Sequence, residues 1–162
     1  CVEKLGSVPP MHITSDSEDG LILTAPTQVI FVVTELLKNS CKSVTTKFPM
    51  DLPSDMPPIT IHISKPEDGI VSLSIRDEGV GISAEQLKYC FTYFYSATLI
   101  NKKDISYFCS TDFGTPLEGI GIGLPLSRLY TRFMGGDLTV ESVEGQYTQV
   151  SLTMNTRADN SF

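Results

Sequence analysis

Glu35, Lys38, Asn39 and Lys42 fall at positions i, i+3, i+4 and i+7. On a helix that spacing gathers a carboxylate, an amide and two ammonium groups into one stripe, away from the apolar face. A solvated helix face with Glu–Lys pairs has the same make-up. A site wall would use it differently. Magnesium takes oxygen ligands and keeps several waters, so Asn39 could ligate it while phosphates complete the shell. Glu35 could orient a water or hydroxyl, or accept its proton.

Two glycine-bearing segments extend the pattern. Asp77-Glu78-Gly79-Val80-Gly81 follows a strand-like run. Any tight turn can look like this. At a strand end facing a pocket, however, Asp77 could accept a hydrogen bond from an exocyclic amine such as that of adenine. Gly79 and Gly81 would let the backbone approach the ligand closely. Further on, Gly119-Ile120-Gly121-Ile122-Gly123-Leu124 opens onto a helix. Amides exposed by glycines and the positive end of a helix favour phosphate. The segment is neither a dinucleotide fingerprint nor a Walker A loop, since it opens no first strand–turn–helix unit and no Lys-Ser/Thr follows. Nor is it the eukaryotic protein-kinase glycine loop, because no HRD or DFG lies downstream.

The elements that must position these groups read as follows. Apolar residues Val29, Val32, Val33, Leu36, Leu37 and Val44 recur at helical spacing, after a first-turn Pro26. Residues 47–58 contain Pro49, Pro53, Pro57 and Pro58 and form a loop. Residues 59–64 and 70–76 alternate, with Lys65-Pro66-Glu67-Asp68-Gly69 as turn material, giving a hairpin. Ser83 and Gln86 are spaced as a capping box. Residues 91–118 hold no persistent period, and a stretch of that length usually has a task, such as covering a ligand. A helix then carries Leu124, Leu126, Leu129, Tyr130 and Phe133 and stops at Gly135-Gly136. Residues 138–142 and 148–154 make a second hairpin around Gly145. Residues 21–24 are a further extended run, and the tail frays from Asn155. The expected fold is α/β: a two-layer sandwich with a mixed, largely antiparallel sheet and helices on one face.

Composition sets outer bounds. The chain has 162 residues, is 41% hydrophobic and carries a formal net charge of -7. That suits one folded domain, and it disfavours broad contact with nucleic acid or anionic membranes. No apolar run is long enough for a membrane span. The cysteines (Cys1, Cys41, Cys90, Cys109) form no CxxC pair and read as reduced thiols. His12 and His62 are isolated, and His62 reads as a strand-surface residue rather than a metal ligand.

In order, a carboxylate/Asn helix, a DxGxG turn, a long loop and a GxGxG helix start resemble the ATP-binding domain shared by DNA gyrase, Hsp90, histidine kinases and MutL, the Bergerat fold. Within it, ELLKNS (35–40), FTYFYSAT (91–98) and GIGIGLPLSRLYTRFMGGDLTVES (119–142) are most similar to the mitochondrial kinases of the pyruvate and branched-chain 2-oxoacid dehydrogenase complexes. The resemblance implies an ATP- and Mg2+-dependent protein serine kinase of the mitochondrial matrix, transferring the γ-phosphoryl group to an E1 subunit. It implies roles by position. Asn39 would bind Mg2+ and Glu35 would be the general base, with Lys38 and Lys42 near the metal and phosphates. Asp77 would take the adenine amine, with Thr148 nearby through water, and Gly79 and Gly81 would form the adenine-side turn. Gly119, Gly121, Gly123 and Leu124 would form the lid's closing segment at the phosphates, and Ser96 would be a further nucleotide-binding residue.

The resemblance further implies residues 1–155 as one ATP-binding catalytic domain with a lid at 90–118, and 156–162 as a tail. An upstream helical bundle that docks the lipoyl-bearing E2 core is absent, and residues 1–13 look like its connection to this domain. The full-length protein would be a homodimer, and this piece alone is expected to bind ATP weakly or moderately and to transfer little phosphate. The sequence departs from the pyruvate branch at Phe31, where a histidine tunes the base. Residues 99–118, with Asn101-Lys102-Lys103-Asp104, are longer and more polar than the usual lid. A two-component histidine kinase domain and a non-catalytic nucleotide-binding module are the alternative readings.

Overall fold

The structure, a computed structural model, describes residues 8–16, 26–49, 52–67, 69–95 and 121–155. The extended run at 21–24, the segment 96–120 and the tail beyond Asn155 lie outside the described residues, as do Cys1 and Cys109.

Strand β1 (Met11–Ser15) is followed by helix α1 (Pro26–Lys47) and then strands β2 (Ile59–Glu67) and β3 (Ile70–Asp77). A short helix α2 (Ala84–Leu87), helix α3 (Gly123–Phe133) and strands β4 (Asp137–Val143) and β5 (Tyr147–Asn155) complete the order. The strands form one five-stranded sheet in the order β1-β2-β3-β5-β4. Only β1 runs parallel to its neighbour; the other pairs are antiparallel. The mixed, largely antiparallel sheet with α1 and α3 on one face is the sandwich expected from the sequence.

Alternation explains the layers. In β3, Val71, Leu73, Ile75 and Asp77 are buried on the helix side, and Leu152, Val150 and Thr148 of β5 share that side. Across them α1 lays down Val32, Leu36, Ser40 and Val44 at four-residue spacing, all buried. Each fully buried Val, Leu or Ile contributes roughly 1.5–3 kcal/mol by leaving water. The opposite face of the sheet carries Thr60, His62, Ser72, Ser74, Gln149 and Ser151 and is polar.

Four local readings need revision. β1 was not expected: its residues are all exposed, and only its parallel register with β2 makes it a strand. Strand β2 continues through the first three of the five residues read as turn, to Glu67, with a register shift between Ser64 and Glu67 that accommodates a proline. In α3 the buried residues are Pro125, Ser127 and Thr131, while Leu129 and Phe133 are exposed. Small side chains let that helix sit close to its neighbours. The stripe on α1 is not uniformly solvated either, since the side chain of Glu35 is only 12% exposed.

Helix α3 ends as its glycines required. Gly135 has φ 75°, its N–H donates to the Arg132 carbonyl (3.0 Å), and the Gly136 N–H donates to the Thr131 carbonyl (3.1 Å). This is a Schellman motif. Ser83 caps α2, and the reciprocal Gln86 contact completes the box.

Candidate functional site

Asp77 ends β3 on the helix side, and only 2% of its surface is exposed. The inner face of α1 meets it there with Ser40 and Ser43, whose hydroxyls hydrogen-bond to the carboxylate. The Gly79 amide donates to Oδ1 at 3.0 Å. Burial pushes the Asp77 carboxyl above its usual value, while these hydrogen bonds and the Lys47 ammonium pull in the opposite direction. A carboxylate offers about four lone-pair positions, so acceptor capacity remains beyond these partners.

The turn after Asp77 is fastened on several sides. Ser43 Oγ accepts from the Val80 N–H (3.1 Å), and Ser142 Oγ of β4 accepts from the Ile82 N–H (2.8 Å). The Val80 carbonyl takes the Gly145 N–H (2.7 Å), and Lys47 Nζ donates to the Glu78 carbonyl (2.9 Å). Glycine is required at both predicted positions. A Cβ on Gly79 would run into the Ser43 hydroxyl, and one on Gly81, at φ 67°, would strike the Val143 carbonyl. Thr148 is the direct register partner of Asp77 across β3 and β5 and is also buried. Its hydroxyl lies 2.9 Å from Ser142 Oγ.

The other wall is where α1 meets α3. Lys38 Nζ donates to Glu35 Oε1 at 2.9 Å. Glu35 Oε2 lies on the α3 side, where a Cβ added to Gly123 would come within 2.7 Å of it. Glycine therefore lets the first turn of α3 rest against the carboxylate. That turn has Ile122 as its N-cap and no side-chain cap, so its leading N–H groups are not satisfied by a capping side chain. Asn39 and Lys42 are exposed on α1. Phe31 packs edge-on against Tyr130 of α3, ring centroids 5.2 Å apart.

Around this wall, Arg128 of α3 holds Asp137 of β4 through Nε (2.8 Å) and Nη2 (2.9 Å) and lies 4.3 Å above the Phe91 ring. Arg132 adds a bond to the same carboxylate (3.0 Å). These guanidinium groups hold the Asp137 carboxyl well below the usual range. The Phe94 N–H donates to the Gly121 carbonyl (2.9 Å), so the chain on either side of segment 96–120 meets here. Cys41 and Cys90 are free thiols, and burial raises both.

Of the residues singled out in the sequence, Asp77, Gly79, Gly81 and Thr148 come together at the β3 end. Glu35 and Lys38 meet Gly123 at the α1–α3 junction, with Leu124 packed on the core. Ser96 and Gly119 lie outside the described residues. Sequence reasoning missed Ser40, Ser43, Lys47 and Ser142. For Ser40 a signal existed: it interrupts the Val32, Leu36, Val44 apolar row with a hydroxyl. Ser142 carried no comparable signal. Among the described residues, no group of three or more His, Cys, Asp or Glu is placed to hold a metal ion. Magnesium commonly needs only one or two protein oxygens alongside phosphates, and the Asn39 side chain fits that demand. No helix among the described residues is long and apolar enough to cross a membrane.

Residues 24–158 match the family of histidine kinase-, DNA gyrase B- and HSP90-like ATPases. A mitochondrial pyruvate dehydrogenase (acetyl-transferring) kinase of Arabidopsis thaliana is 35% identical over 162 residues, covering 99% of this chain and 43% of that protein. Its counterpart in Schizosaccharomyces pombe is 38% identical over 125 residues, 76% of this chain and 29% of that protein. Isozyme 1 of Rattus norvegicus is 28% identical over 141 residues, 85% of this chain and 30% of that protein. The chain thus spans less than half the length of these relatives. All three are mitochondrial, and the chain is placed with mitochondrial proteins, as expected from the sequence.

Proposed function

Because the chain belongs to the histidine kinase-, DNA gyrase B- and HSP90-like ATPase family, we propose that it is the ATP-binding part of a protein serine kinase of the mitochondrial matrix acting on a 2-oxoacid dehydrogenase complex. The observation that carries the nucleotide reading is the buried Asp77 carboxylate, braced by Ser40, Ser43 and the Gly79 amide at a strand end. A buried carboxylate with acceptor capacity left over suits an exocyclic amine, the hydrogen-bond donor of adenine. Gly79 and Gly81 keep the floor beside it free of side chains.

The start of α3, whose leading amides have no side-chain cap, would hold the phosphates of a bound nucleotide, since those amides and the helix dipole favour negative charge. Mg2+, when bound, neutralises charge on the β- and γ-phosphates. Asn39 would supply its protein ligand, and the Lys38 and Lys42 ammonium groups would add positive charge on the same stripe. Lys38 tethers Oε1 of Glu35, which fixes the rotamer and leaves Oε2 to take the proton of an acceptor serine hydroxyl. The rate then comes from positioning and electrostatics more than from covalent chemistry.

The similarity to pyruvate dehydrogenase kinases supports a component of that complex, its E1 subunit, as substrate; engagement of the lipoyl-bearing E2 by a helical domain and a homodimeric full-length protein are part of the same proposal. Phosphoryl transfer from labelled ATP to purified E1 by the full-length protein tests this. Glu35→Gln should keep MgATP binding within about threefold and lower transfer by about 100-fold or more. Transfer at the wild-type rate would remove Glu35 from the base role.

A further inference from the structure

Counting protons at Ser142 leads to a property of the nucleotide site. A serine hydroxyl has one hydrogen and two acceptor lone pairs. Ser142 Oγ lies 2.6 Å from the Tyr147 carbonyl, which can only accept, so the serine hydrogen goes there. The Ile82 N–H can only donate, and it enters one lone pair of Ser142 at 2.8 Å. The remaining contact, 2.9 Å to Thr148 Oγ1, is then donated by Thr148. Ser142 is saturated, and the Thr148 hydrogen is committed to it. Toward a ligand Thr148 keeps only acceptor lone pairs. Its register partner Asp77, as a carboxylate, is likewise an acceptor.

We propose that the 6-substituent of the base lies directly between Asp77 and Thr148, and that Ser142 is a positioning residue for base selection: it fixes the Thr148 hydroxyl as an acceptor, so that the pair takes the two hydrogens of a 6-amino purine and rejects the oxygen of a 6-oxo purine. The proposal rests on the placing of the nucleobase at Asp77. Ser43 does parallel work on the other side of the turn: it accepts the Val80 amide and donates to Asp77. The two serines, from α1 and β4, thus hold the turn and orient the two groups that face the base. A 6-oxo purine would bring an oxygen lone pair against these acceptors. With Ser142 gone, the Thr148 hydroxyl can rotate and donate to that oxygen.

Affinities of the full-length protein for ATP and for ITP, measured with Mg2+, test this through their ratio. Removing Ser142 as a mere prop would weaken both nucleotides and leave the ratio alone. Ser142→Ala should lower the ATP-over-ITP preference by about tenfold, the scale of one hydrogen bond gained or lost. Ser142→Thr, which keeps a hydroxyl, should restore most of it. A Ser142→Ala preference within threefold of wild type overturns the proposal. Should that variant fail to fold, Thr148→Val provides the same reading: its preference should fall, and an unchanged preference overturns the proposal. Wild-type parity between ATP and ITP would instead remove the base from Asp77, and the inference with it.

Discussion

At the scale of single residues, the chemistry turns on how a buried carboxylate is kept usable. Burial raises the Asp77 carboxyl, and the Gly79 amide, the Ser40 and Ser43 hydroxyls and Lys47 act against that rise. The sign follows. A carboxyl raised on folding favours the folded state below its ordinary value, and that advantage is lost as pH rises through the raised value. Ligand binding that needs the ionised form runs the other way. MgATP affinity should therefore fall on acidification at a higher pH than an ordinary aspartate would give. A binding profile flat down to the ordinary aspartate range would contradict this. Gly79→Ala tests the same corner sterically. Its Cβ would meet Ser43, so overpacking should cost about 1–3 kcal/mol in denaturant unfolding and displace the turn. Wild-type stability and nucleotide affinity in that variant would show that the close approach is unnecessary. The sequence pointed to Asp77 and the two glycines because a strand-like run ended there. It did not reveal Ser43 or Ser142, because isolated serines in amphipathic runs look alike whether they face solvent or bind an amide.

At the scale of elements, how much could be read locally depended on how local each signal was. Helix α1 was legible because its apolar period, interrupted only at Ser40, runs between Pro26 and the prolines after Lys47. The two hairpins were legible from alternation. Strand β1 was not, since its residues are exposed and its only cause is a parallel partner more than 40 residues away. Helix α3 was half legible: Leu124 and Tyr130 pack on the core, but Leu129 and Phe133 are exposed, and the fully buried side is Pro125, Ser127 and Thr131, which no hydrophobic pattern announces. Beside the packing of Leu124 and Tyr130 on the core, Asp137 gripped by Arg128 and Arg132 ties α3 to the sheet. Depression of that carboxyl favours the folded state above the ordinary carboxylate range, and the benefit is lost as pH falls through the lowered value. The pair is partly exposed, so Asp137→Asn should cost only about 1 kcal/mol at neutral pH and should flatten the acid limb of the stability curve. An unaltered acid limb would show that the grip contributes nothing. Truncation at the α1 core is a different matter: Leu36→Ala should cost about 2–5 kcal/mol in the same measurement.

At the scale of the molecule, the sandwich places two walls on one face. The β3 end with Asp77 and Thr148 forms one, and the α1–α3 junction with Glu35, Lys38 and Gly123 forms the other. Two such walls on one side of a sheet suit the proposed extended nucleotide, with the base at Asp77 and the phosphates toward α3, and membership of an ATPase family agrees. Substrate choice, on the proposed function, belongs to a longer protein, since this chain spans less than half the length of its relatives. The central claim is nucleotide binding, and calorimetric titration with ATP, with and without Mg2+, tests it beside Asp77→Ala. The account predicts saturable, magnesium-enhanced binding by the wild type and a loss of roughly tenfold or more in the variant, the scale of a hydrogen bond to a charged group. Binding of equal strength in wild type and Asp77→Ala would contradict it.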